Sequence, residues 1–93
     1  MGMSLSNYIL KDKESGLTTD AQKKFKEVYG TNIIYDGEAF QMYKINDVLV
    51  TISSKNDPDY GNLLFSVRDG ERKKADNLFK NIQKQNFWQL EVA

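Results

Sequence analysis

The stretch YDGEAFQMYKINDVLVTIS, residues 35–53, decides how this chain folds. Two turn-forming dipeptides, Asp36-Gly37 and Asn46-Asp47, divide it into runs rich in β-branched and aromatic side chains. Both suit a two-residue hairpin turn whose central residues need positive φ, Asp-Gly better than Asn-Asp. A two-residue loop at Asn46-Asp47 sets Ile45 opposite Val48, Tyr43 opposite Val50 and Gln41 opposite Ile52. Side chains alternate along a strand, so Tyr43, Ile45, Val48, Val50 and Ile52 share one face, the expected core face. Phe40, Met42, Lys44, Leu49 and Thr51 share the other.

The same count at Asp36-Gly37 sets Tyr35 opposite Glu38 and Ile33 opposite Phe40. Ile34 and Ala39 then join the core face, while Ile33, Tyr35, Phe40, Met42 and Leu49 cluster on the second face. An antiparallel sheet with a solvated side alternates apolar-in and polar-out. Over this half the alternation fails. Three accounts follow. A helix covers each face, or the N-terminal arm folds across the second one. Alternatively two copies pair through the cluster as a homodimer, or the cluster docks another protein. Large apolar patches mark such docking sites, and aromatic and Met side chains are favoured at interface cores. A one-residue slip in either turn would exchange the faces.

Working outward, residues 20–29 read as a helix. Thr19 with Gln22 forms a capping box, and Ala21, Phe25, Val28 and Tyr29 make an apolar stripe. Gly30 is the expected left-handed stop. Residues 1–16 read as a short helix or an extended arm, ended by Gly16. Lys55 to Gly61, KNDPDYG, reads as a loop around Pro58. Leu63 to Arg68 is a strand, and Asp69 can cap a second helix over 71–85 with the stripe Ala75, Leu78, Phe79 and Ile82. The tail NFWQLEVA alternates, with Trp88, Leu90 and Val92 on one side, and reads as a last strand. The expected architecture is α+β: a small antiparallel meander of about four or five strands with two helices, in the order α-β-β-β-β-α-β.

At 93 residues the chain has room for a single core. A 40% apolar and 28% charged composition is ordinary for a globular domain. No apolar run approaches the roughly 20 residues of a membrane helix, and no signal-peptide pattern opens the chain. A soluble, cytoplasmic protein is expected. Met1-Gly2 before Met3 reads as a cloning remnant, although Gly2 with Ser6 also fits an acylation pattern. The eleven lysines against two arginines, with eight asparagines, point to an AT-rich bacterial or phage genome.

The composition excludes more than it assigns. Thirteen basic and thirteen acidic residues cancel, which disfavours a general nucleic-acid coat. With neither cysteine nor histidine, disulfides, thiolate zinc sites, imidazole acid-base chemistry and thiol nucleophiles are absent together. No metal or cofactor is expected. The acids of NDPDYGN do not make an EF-hand, because Gly61, Asn62 and Arg68 stand at the fifth, sixth and twelfth positions, which need a ligand, Gly and Glu. Asp36 and Glu38 sit at an exposed turn tip, and no acid is paired with a base, so no catalytic residue is assigned. Trp88 reads as core and Tyr60 as the exposed aromatic. Arg68, Arg72, Lys73 and Lys74 surround the start of the second helix, and Lys73, Lys80 and Lys84 align on its polar face. Together they are a candidate anion or nucleic-acid site.

The expected function is a small non-catalytic protein-binding module of inhibitor, immunity or adaptor type. Its expected partner is another protein or a second copy of itself. The alternative is a nucleic-acid or anion binder using the second helix. An enzyme with carboxylate or lysine chemistry comes third.

Overall fold

The computed structural model describes residues 2–12, 21–53, 61–84 and 88–92. In chain order the elements are β1 (Met3–Asp12), α1 (Ala21–Tyr29), a short 3-10 turn (Gly30–Asn32), β2 (Ile33–Asp36), β3 (Phe40–Ile45), β4 (Val48–Ser53), β5 (Gly61–Arg68), α2 (Arg72–Gln83) and β6 (Trp88–Val92). The fold is α+β, with one antiparallel six-stranded sheet in the order β2-β3-β4-β5-β1-β6. The meander is thus present, and the N-terminal segment adds a further strand between β5 and β6. It is neither helix nor arm: it pairs from Met3↔Arg68 to Leu10↔Gly61 on one side and from Tyr8↔Val92 to Asp12↔Trp88 on the other. The reason its pattern misleads is visible in the register. The core-face positions of β1 begin Ser4, Ser6 and Tyr8, whereas Met3, Leu5 and Ile9 point the other way, so polarity along the strand is inverted from the usual alternation.

The β3–β4 hairpin turns at Asn46 (φ 50°) and Asp47 (φ 64°), both left-handed as a type I′ turn requires. Its ladder matches the count from the sequence, with Ile45↔Val48, Tyr43↔Val50 and Gln41↔Ile52. The β2–β3 hairpin does not. Tyr35 faces Met42 and Asp36 faces Gln41, and the Gly37 N–H donates to the Phe40 carbonyl at 3.1 Å. The turn residues are therefore Glu38-Ala39, and Gly37 is not left-handed. The correction shifts the register by four residues, an even number, so Tyr35 stays on the second face. A β-bulge then intervenes between Ile33 and Tyr35, and Ile33 faces Tyr43. That extra residue exchanges two expectations. Ile33 packs against the core instead of joining the cluster, and Ile34 is exposed instead of buried.

Both helices lie on one side of the sheet. From α1, Phe25 meets Tyr43 edge-on at 4.9 Å between ring centroids and stacks near Trp88 at 5.8 Å. From α2, Ala75, Leu78 and Ile82 are buried, and Phe79 lies 5.0 Å from Tyr8, which lies 5.0 Å from Phe65. The core beneath them is Leu10, Tyr43, Ile45, Val48, Val50, Ile52, Leu63, Phe65, Val67, Trp88 and Leu90. Among the described residues no helix or arm covers the second face. For the described residues this overturns the account that places one helix on each face, or the N-terminal segment across the second; residues 13–16 of that segment lie outside them.

Smaller corrections follow from local geometry. Val28 is exposed, outside the stripe that Phe25 and Tyr29 form. Gly30 enters the 3-10 turn instead of a left-handed stop. Glu71 stands at the α2 N-cap without a side-chain cap bond, and the carboxylate of Asp69 instead accepts the Gly2 N–H at 3.0 Å. Gly70 (φ 87°) makes the reversal that separates β5 from α2. Thr19, residues 54–60 with Tyr60, and Gly16 lie outside the described residues. The Gln22 amide donates to the Ala39 carbonyl, tying α1 to the β2–β3 turn. No described helix is long and apolar enough to cross a membrane.

Candidate docking face

Strand register assembles the second face from side chains far apart in sequence. One row crosses the sheet as Tyr35, Met42, Thr51, Leu64 and Asn7. The next holds Phe40, Ser53, Asn62, Ile9 and Glu91. On the other side of the first row lie Lys44, Leu49, Ser66 and Leu5, and beyond them Arg68 with Met3. Ile34, at the bulge, lines the same cleft as Lys44 and Leu49. Met3, Leu5, Ile34 and Tyr35 keep 50–61% of their surface in solvent. Phe40, Met42, Leu49, Leu64 and Ile9 are half-buried. Near β2, Tyr35 and Phe40 pack ring against ring at 5.1 Å.

Of the five expected members, Tyr35, Phe40, Met42 and Leu49 stand on this face, and Ile33 does not. The face also recruits Met3, Leu5, Ile9, Ile34 and Leu64, which sequence reasoning missed. The signal was present: apolar residues at odd positions of β1 and at position 64 of β5 have the correct parity once β1 is known to pair with β5.

The edges of the sheet are guarded. On the outer edge of β6, the Leu90 N–H is taken by the Gln83 side-chain oxygen of α2 at 2.6 Å. At the opposite edge β2 is four residues long, carries the bulge, and is held to α1 by the Lys26–Asp36 ion pair. Short, bulged or covered edges resist the addition of a further strand. What is left open is the face, not the edge.

At one end of the face a cleft of about 500 Å³ is floored by Met3, Ile34 and Leu49 and rimmed by Lys44, Asp47, Arg68, Glu71 and Lys74. Lys74 bridges Asp47 at 3.2 Å and Glu71 at 3.5 Å, and the bond to Asp47 leads in raising its pKa. Lys44 and Arg68 are exposed and enter no ion pair among the described residues.

The expected anion-binding residues are split by the fold. Arg68 belongs to the open face. Arg72 and Lys73 are exposed at the start of α2. Lys74, Lys80 and Lys84 come together with Asn46, Asn77 and Asn81 around a shallow groove of about 420 Å³. One of those three cations is already engaged by two carboxylates.

On the core face, β3 buries two polar groups. The Gln41 amide donates to the Gly37 carbonyl, but its oxygen has no partner among the described residues, and neither has the Tyr43 hydroxyl. Burial, with a smaller contribution from the negative charge of Asp36, pushes the Tyr43 phenol up to about 12. These groups face the helices and not the cleft.

Compared with models of known families, with curated proteins and with solved structures, the chain matches none.

Proposed function

We propose that this protein is a non-catalytic binding module, of inhibitor, immunity or adaptor type, that engages another protein through the open face of its sheet. One observation carries the reading: both helices pack on one side, and the uncovered side bears Met3, Leu5, Ile9, Tyr35, Phe40, Met42, Leu49 and Leu64. A soluble domain that leaves such a surface outside is using it or hiding it against a partner. Six strands about 4.8 Å apart, with rows about 6.8 Å apart, give the face roughly 500 Å² in projection. Side-chain relief raises the area available to a partner above that, towards the roughly 600–800 Å² that a specific interface takes from each side. The lack of cysteine fits action in the reducing cytoplasm.

Affinity capture from the source cell tests this, with the natural chain beside a Met42→Lys/Leu64→Glu variant. A protein retained by the natural chain and lost from a variant of unchanged circular dichroism supports the reading. Equal retention by both, or loss only on Lys80→Glu/Lys84→Glu, would move the site off the sheet and onto α2.

A further inference from the structure

Resting on that reading, we infer that the partner presents an acidic, apolar segment whose carboxylates are paired by Lys44 and Arg68, with its apolar side chains seated on Leu49, Met3 and Ile34. The whole chain is neutral, yet the open face is not. Its strand positions carry the cations Lys11, Lys44 and Arg68 against one carboxylate, Glu91, and Glu91 is held by Lys11 at 2.7 Å. At the cleft the two remaining acids, Asp47 and Glu71, are taken by Lys74. Lys44 and Arg68 are what is left over, one on each side of Leu49.

Strand geometry sets their spacing. Lys44 lies in the same row as Ser66, two strands away, and Arg68 is one row further along β5. The two Cα atoms are therefore roughly 12 Å apart. Acidic residues four positions apart on an extended strand span about 13 Å, and the long lysine and arginine stems accommodate a helix as well. Between the two cations lie Leu49 and Ser66, and Ile34 and Met3 flank the pair on the strands outside it, so a segment that alternates acids with aliphatic residues meets both features at once.

The same inventory disfavours a second copy as the occupant. Whatever the symmetry of a face-to-face pair, each copy brings Lys44 and Arg68, and the acids it offers among the described residues of this face and cleft, Glu91, Asp47 and Glu71, are already paired. Like charges brought together across an interface cost affinity. The aliphatic character of the floor also differs from a nucleic-acid platform, which needs free aromatic rings for base stacking. Here the two rings of the face, exposed Tyr35 and half-buried Phe40, are packed against each other in a tilted pair.

Selection of random dodecapeptides on the immobilised full chain tests the inference. Lys44→Glu/Arg68→Glu and Leu49→Ser/Leu64→Ser variants stand beside it, each confirmed folded by circular dichroism and urea midpoint. The expected winners interleave Asp or Glu with Leu, Ile, Val or Phe. They bind the natural chain at least about ten-fold more tightly than the charge-reversed variant, and added salt weakens them. Winners that lack acids, or bind both proteins equally, overturn the acidic-partner inference while leaving docking on the face intact. Binding instead to vesicles of anionic phospholipid or to oligothymidylate overturns it in favour of a membrane or nucleic acid. So does a dimer in sedimentation that Leu49→Ser/Leu64→Ser dissolves. Should no peptide be enriched, and both variants match the natural chain in every assay, the docking reading itself falls.

Discussion

The ring of Tyr35 lies over Gly37, so close that a Cβ on Gly37 would stand 2.6 Å from Tyr35 Cε2 and 2.8 Å from its hydroxyl oxygen. Glycine is used here for close approach and not for a left-handed φ. With no side chain at 37, the Tyr35 ring can turn inward against Phe40, and that pair forms one end of the open face. Gly37→Ala therefore displaces the ring and parts it from Phe40. Because Tyr35 is half in solvent and can rotate away, the expected loss of stability is small, about 0.5–1.5 kcal/mol. Urea denaturation reads that cost, and an altered near-ultraviolet dichroism reads the ring movement.

Two neighbouring residues of β5 test which side of the sheet is covered. Phe65 is fully buried under the helices, and Leu64 points to the open face. Phe65→Ala is expected to cost about 3–5 kcal/mol, as for other buried aromatics. Leu64→Ser should cost no more than about 1.5 kcal/mol and leave a cooperative unfolding transition. Similar losses at both sites, measured by urea denaturation, would mean that the second face is buried after all.

Tyr43 gives a pH signature. In the unfolded chain its phenol ionises near its ordinary value of 10.0, whereas in the folded protein it does so near 12. The folded state thus holds a proton that the unfolded state has released between those values. Stability from this group is complete below pH 10 and is lost as pH rises through 12, at up to about 1.4 kcal/mol per pH unit. Tyr43→Phe should remove that alkaline slope. It also removes a buried hydroxyl that has no partner among the described residues, so stability at neutral pH should be unchanged or slightly higher. Urea midpoints of both proteins from pH 7 to pH 11 check the two statements together.

Gln83 closes the β6 edge by accepting the Leu90 N–H. In Gln83→Ala that amide loses this acceptor, at a cost of about 1 kcal/mol. The uncovered edge then invites strand pairing between molecules. Sedimentation should show association that grows with protein concentration in the variant and exceeds that of the natural chain.

The local signals in the sequence were sufficient wherever neighbours in the chain are neighbours in space. Asn46-Asp47 with its flanking alternation determined the β3–β4 register, because a two-residue turn leaves one pairing that keeps Tyr43, Val48, Val50 and Ile52 on a common side. The stripe Ala75, Leu78, Phe79 and Ile82 determined which side of α2 is buried, because only one face of a helix repeats at that spacing. The composition determined that histidine and cysteine chemistry is absent. Tertiary structure decided the rest. The segment Met3–Asp12 is a strand only because β5 and β6 flank it: Ser4 and Ser6 face inward while Met3, Leu5 and Ile9 face outward, and only Tyr8 and Leu10 carry the inward pattern a sequence reading looks for. The fate of Ile33 and Ile34 was set by one extra residue in β2, a half-step that reverses side-chain direction and whose position depends on what β3 and the core accept. Which faces the helices cover was likewise beyond local pattern, since an amphipathic helix specifies that it must bury a side but not against which surface. Packing chose the same surface for both, and among the described residues that choice left the other one without a helix over it.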